Sequence, residues 1–83
     1  MAHQQTTMKY IIKETTDETI VVIGNTMHSF LAEGVCGKYR KPTSAGHMRI
    51  VNGTVEVYGE SIGYDMKARP EDAMIISSYL GIN

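Results

Sequence analysis

MRIVNGTVEVYGESIGY, residues 48–64, reads as a β-hairpin that runs into a glycine-bearing loop. Asn52-Gly53 is the pair that best tolerates positive φ at both central positions of a type I′ turn, with Ile50-Val51 before it and Val55 and Val57 after it. On the second strand Val55 and Val57 share one face, while Thr54, Glu56 and Tyr58 share the other, so one face of the hairpin is expected to lie on a core. The strand stops at Tyr58-Gly59. In Gly59-Glu60-Ser61-Ile62-Gly63-Tyr64 the two glycines sit four positions apart, freeing the backbone for turns and letting amide hydrogens converge on one point. Such a loop is either an anion cradle or an ordinary bend.

Upstream, Met8 to Glu14 is predicted as a first strand, with Tyr10 and Ile12 on one face and Lys9, Ile11 and Lys13 on the other. Thr15-Thr16-Asp17-Glu18 supplies a polar turn, and the β-branched run Thr19 to Ile23 reads as a strand buried on both faces that pairs with the first. Gly24-Asn25-Thr26 breaks this strand, and either Asn25 or Thr26 caps a helix predicted through about Glu33. Met27, Phe30, Leu31 and Val35 form its inward stripe, and Gly34 and Gly37 end it. Lys38 to Gly46 is expected to loop back to the sheet.

Downstream, Asp65 to Arg69 leads to a second helix opened by Pro70-Glu71-Asp72, because proline suits the first turn and acids suit its positive end. Ala73, Ile76 and Leu80 mark its inner face and Gly81 its C′ residue. The order is ββαββα. The expected fold class is therefore α+β: a single small domain, residues 8–83, with one mainly antiparallel sheet and two helices on one of its faces.

Eighty-three residues hold one such domain and little more. A net charge of −1 gives no general pull on nucleic acid or acidic membranes, and the short basic cluster Lys38, Arg40 and Lys41 reads as a solvated loop. The longest apolar run, Ile20 to Ile23, is too short to span a bilayer. No secretion signal is visible in MAHQQTTM, so residues 1–7 read as a disordered tail or a cloning remnant. The single cysteine, Cys36, forms no internal disulfide, and a cytoplasmic location is expected.

Of three histidines, His3 lies in the tail. His28 falls in the first turn of the predicted helix, where free amide hydrogens and the positive dipole end help to keep an imidazole neutral, fit to act as base or nucleophile. The alternative is a plain surface histidine. His47 precedes the hairpin and reads equally as an edge residue. Cys36 has Pro42 where the phosphatase loop of cysteine enzymes has arginine, so it reads as a small buried thiol. His28, Cys36 and His47 match no zinc spacing, and neither a P-loop nor a dinucleotide fingerprint is present.

Lys9-Tyr10-Ile11-Ile12, His28 after the second strand, Gly46 with Arg49 at the hairpin entry, and Val57-Tyr58-Gly59-Glu60-Ser61-Ile62-Gly63-Tyr64 occur here in the order found in the phosphohistidine phosphatase (Janus/Ocnus) family. The chain resembles a shortened member of that family from about Met8 to Tyr64, and more loosely through the last helix. The stretch between His28 and Arg49 is compressed, the family's glycine run is reduced to Gly46, and its final strand is missing or limited to Ile82-Asn83. The resemblance implies a metal-independent hydrolase without cofactor, acting on a phosphohistidine-bearing protein or a small phosphoramidate. It implies His28 as the catalytic residue, activating water or accepting the phosphoryl group. It further implies Lys9, Ser61 and Gly63 as phosphate binders, with Arg49, Gly59 and Tyr64 in support; Glu60 would set a negative charge near the pocket. The competing expectation is a non-catalytic binding module for a phosphorylated ligand or a partner protein. An exposed edge strand, Met8 to Glu14, offers a route to a homodimer.

Overall fold

Asn52 and Gly53 adopt φ of 52° and 80° between the paired residues Val51 and Thr54, the left-handed pair that a type I′ turn requires. The computed structural model describes residues 7–37 and 40–82, in the order β1 (Thr7–Glu14), β2 (Thr19–Gly24), α1 (His28–Cys36), β3 (Ser44–Val51), β4 (Thr54–Tyr58), β5 (Glu60–Ser61), β6 (Met66–Lys67) and α2 (Pro70–Leu80). Of the tail expected at residues 1–7, residues 1–6 lie outside the described residues, as do Lys38, Tyr39 and Asn83, while Thr7 belongs to β1, where it pairs with Arg49. Strands β1 to β4 form an antiparallel sheet in the order β2-β1-β3-β4, and β5 and β6 form a small ribbon. The α+β class and the ββαββα order hold, with the ribbon added where a plain connection from Asp65 to Arg69 was expected.

The two helices cover opposite faces of the sheet, not one. Tyr10, Ile11 and Ile12 are consecutive and all 0% exposed. Because side chains alternate along a strand, such a run needs cover on both sides. Tyr10 and Ile12 join Val21, Met48, Val55 and Ile76 of α2, whereas Ile11 joins Ala45 and Leu31, Ala32 and Cys36 of α1. Full burial of one isoleucine is worth about 1.5–3 kcal/mol, so a bare face at Ile11 would be a serious loss in a domain this small. β1 is accordingly a central strand, and the free edges belong to β2 and β4. Its position removes Met8 to Glu14 as a dimerisation edge.

Helix α1 is also turned from its expected orientation. Leu31, Ala32 and Cys36 face the sheet, while Met27 and Phe30 are 59% and 61% exposed. Two contacts set this rotation: Leu31 packs so close to Gly24 that a Cβ there would sit 3.0 Å from its Cδ2, and His28 bonds to β3. The N-cap is Met27, without a side-chain cap, rather than Asn25 or Thr26. The helix runs through Gly34 and stops at Gly37, whose φ is 87°. Strand β3 begins at Ser44, because Thr43 already bonds to Ile12 and Glu14, so the connecting loop is shorter than expected.

Helix α2 opens at Pro70 and closes on Gly81 (φ 75°), with Gly81 N–H donating to Ser78 and Ile82 N–H to Ser77, a Schellman arrangement. Ile76 is buried and Ala73 packs against the same core. Leu80, expected inside, is 39% exposed, and Ile82 packs there from within the cap rather than from a strand. No helix among the described residues is long and apolar enough to cross a membrane.

Candidate functional site

Three separate elements meet at a cavity of about 220 Å³ on the α1 side of the sheet: Lys9 from β1, His28 and Ser29 from the start of α1, and Ser61, Ile62, Gly63 and Tyr64 from the turn of the β5–β6 ribbon. Lys9, His28, Ser61 and Gly63, expected to act together, thus meet although Lys9 and Gly63 are 54 positions apart along the chain. Two larger hollows flank α2, about 480 and 450 Å³, but apolar side chains dominate both.

His28 is held by one bond. Its Nε2 lies 2.7 Å from the carbonyl oxygen of Gly46, and since a carbonyl only accepts, Nε2 carries the proton and Nδ1 keeps the lone pair. His28 is 9% exposed, far from the plain surface histidine of the alternative reading. Toward the other helix Gly46 leaves room because it has no side chain: a Cβ would stand 2.8 Å from Ala68 Cβ and 3.1 Å from the Tyr10 hydroxyl oxygen. That hydroxyl donates to Asp72 Oδ2 at 2.6 Å, and Asp72, 0% exposed, is paired at 2.8 Å with Arg69, which also bonds Glu14 at 2.8 Å. Burial and the Asp72 carboxylate hold the Tyr10 proton well above the usual phenol range.

The cavity offers donors for an anion. Phe30 and Leu31 amides bond back to the Met27 carbonyl, and the His28 and Ser29 amides, the other first-turn donors of α1, have no backbone acceptor among the described residues. In the ribbon turn, Asp65 N–H closes on Ile62 O at 3.2 Å, and the amides of Ile62, Gly63 and Tyr64 have no backbone acceptor among the described residues. Lys9 has no carboxylate within salt-bridge distance among the described residues, so its charge is available to a ligand. Ser61 is 2% exposed and lines the cavity, while its neighbour Glu60 points away in register with Lys67, as strand alternation requires. Burial raises the pKa of Tyr64, with smaller contributions from Cys36 and Glu33, so its phenol stays protonated as a donor.

The glycines of the loop serve differently from expectation. Gly59 has φ 72°, whereas Gly63 is outside the left-handed region and a Cβ on it would meet nothing within 4 Å. The left-handed turn residue is Asp65, φ 54°. Arg49 stays outside the cavity, bonded to Glu56 at 2.7 Å with its guanidinium carbon 5.1 Å above the centre of Tyr58. Cys36 is buried under α1. No cluster of three or more His, Cys, Asp or Glu able to hold a metal occurs among the described residues.

His47 is the residue that sequence reasoning set aside. It pairs with Lys9 on β1 and with Tyr58 on β4, its ring stands edge-on to His28 (5.4 Å, 85°) and it stacks on Tyr58 (5.7 Å, 25°). Its Nδ1 is buried without a partner, and burial, then the charges of His28 and Lys9, lower its pKa. The signal was the register: once β1, β3 and β4 pair around Gly46 and the Asn52-Gly53 turn, Lys9, His47 and Tyr58 must form one row.

Comparison of the chain with protein-family models, curated proteins and solved structures yields no match.

Proposed function

We propose that the protein is a metal-independent phosphatase acting on phosphohistidine or a related phosphoramidate. The observation that carries this reading is the cavity in which the Lys9 ammonium, two first-turn amides of α1 and the ribbon-turn amides surround a histidine whose proton-bearing nitrogen is tied to Gly46. Those donors suit a phosphoryl group in charge and in number. The Nδ1 lone pair of His28 would then do the chemistry. Either it takes a proton from a water attacking phosphorus, or it attacks phosphorus itself and water later cleaves the new P–N bond. In both routes the substrate P–N bond breaks, the leaving nitrogen takes a proton, and inorganic phosphate is released. A P–N bond is labile enough that positioning and charge stabilisation suffice without a strong Lewis acid.

The test is phosphate release from phosphoramidate and from a phosphohistidine peptide in the presence of EDTA, comparing wild type with His28→Ala. Release that disappears with His28 while the fold persists supports the phosphatase. A folded wild type that shifts its Ser61 and Gly63 amide signals on adding phosphate, yet releases none from either substrate, replaces it with a phosphate-binding module built on the same donors.

A further inference from the structure

His47 lines no wall of the cavity, yet it sits between two rings and carries a buried nitrogen with no partner. For packing alone, an aliphatic residue at this β3 position would avoid the orphaned atom. The surroundings are also fitted to a ring: Gly59 next to it is in a left-handed conformation, and a Cβ there would lie 2.8 Å from His47 Nδ1. Tyr58 supports the far side, itself covered by the Arg49 guanidinium.

We infer that His47 is a positioning residue: its ring, backed by Tyr58, fixes the plane of the His28 imidazole so that Nε2 stays on Gly46 and Nδ1 stays turned to the ligand. One hydrogen bond sets the direction of an imidazole but leaves its ring free to rock about that bond. The edge-on contact at 5.4 Å supplies the second constraint. His28 would otherwise sample the plane and tautomer of a free imidazole. The effect on the His28 tautomer stands on this geometry alone, and its effect on turnover rests on the phosphatase reading above.

The experiment reads the ring nitrogens of His28 by two-bond ¹H–¹⁵N NMR at about pH 8, where an ordinary imidazole is neutral, in wild type, His47→Ala, Tyr58→Ala and the double variant. Wild type is expected to show a single Nε2–H tautomer. In His47→Ala both nitrogens should move toward the averaged shifts of free imidazole, and kcat for phosphoramidate should fall about tenfold with KM held. Tyr58→Ala should move them less in the wild-type background and no further once His47 is gone. If His47→Ala does not fold, Tyr58→Ala alone decides, because Tyr58 reaches His28 only through His47. Unchanged His28 nitrogens, or a Tyr58→Ala shift of equal size with and without His47, overturns the inference. Absence of phosphate release by wild type sinks the phosphatase reading and leaves the NMR result to judge His47.

Discussion

The imidazole of His28 donates from Nε2 to the Gly46 carbonyl at 2.7 Å, which ties the start of α1 to the centre of the sheet. On its other side Gly46 is close-packed, a Cβ there standing 2.8 Å from Ala68 Cβ and 3.1 Å from the Tyr10 hydroxyl oxygen. The bond that orients His28 and the packing on the α2 side of the sheet therefore share one residue.

Gly46→Ala tests that sharing. A methyl at 2.8 Å from Ala68 forces β3 or the Arg69 segment to move, and overpacking of this kind costs about 1–3 kcal/mol. The carbonyl moves with its residue, so His28 loses its acceptor geometry. Urea unfolding should show the destabilisation, and phosphate release should fall more than stability does. Full activity in a destabilised Gly46→Ala would detach the hydrogen bond from catalysis.

Lys9→Met keeps the length of the side chain while removing its charge from the cavity. Titration with inorganic phosphate, followed at the amides of Ser29 and Gly63, should show roughly tenfold weaker binding, about 1.4 kcal/mol. The affinity of the variant should also respond less to added salt than that of wild type. Equal affinities would mean that the amides hold the anion alone.

Asp72 is fully buried with Tyr10, Arg69 and the Arg69 amide as its partners. Asp72→Ala leaves the buried Tyr10 phenol and the Arg69 amide without an acceptor, while the guanidinium keeps Glu14, a change expected to cost about 1–3 kcal/mol for each orphaned group. Tyr10→Phe removes one donor and leaves Asp72 its arginine, so about 1–2 kcal/mol is expected. Thermal unfolding of the two variants should keep this order; a reversal would show that Tyr10, not Arg69, compensates the buried carboxylate.

The sheet's hairpin and α2 were legible because Asn52-Gly53, Pro70 and Gly81 act through local backbone chemistry, whereas α1 was legible only in outline, its N-cap being Met27 rather than Asn25 or Thr26. His28, Lys9 and Ser61, candidates named from their order along the chain, line one cavity in the fold. Which face each helix covers was not legible. It depends on Gly24 admitting Leu31, on Gly46 admitting Ala68 and the Tyr10 hydroxyl, and on the bond from His28 to the Gly46 carbonyl, close approaches that no periodicity encodes. Asp72 illustrates the same limit: at a helix start it reads as a dipole partner, and only the 62-residue separation from Tyr10 reveals a buried ligand of the sheet. His47 was hidden because its role comes from strand register.

Titration of His47 gives a prediction for stability. Burial and the nearby His28 and Lys9 lower its pKa in the folded protein from an imidazole's ordinary 6.5. Between the two values the unfolded chain binds the proton and the folded chain does not, so stability rises with pH across that interval. His47's contribution is therefore fully present above about 6.5 and is lost progressively as pH falls toward the folded value, below which the loss stops growing. Lys9 on β1 and Tyr58 on β4 in the same row, His28 on α1, and Arg49 over Tyr58 are the groups around the ring, and none supplies a carboxylate that would welcome its charge. Protonation would also put a hydrogen on Nδ1 in a buried place without an acceptor. Thermal unfolding measured against pH should decline on the acid side in wild type and decline less in His47→Gln, after the shared loss from carboxylates is subtracted. Identical acid limbs in the two proteins would show that His47 takes its proton as easily folded as unfolded, which its orphaned Nδ1 argues against.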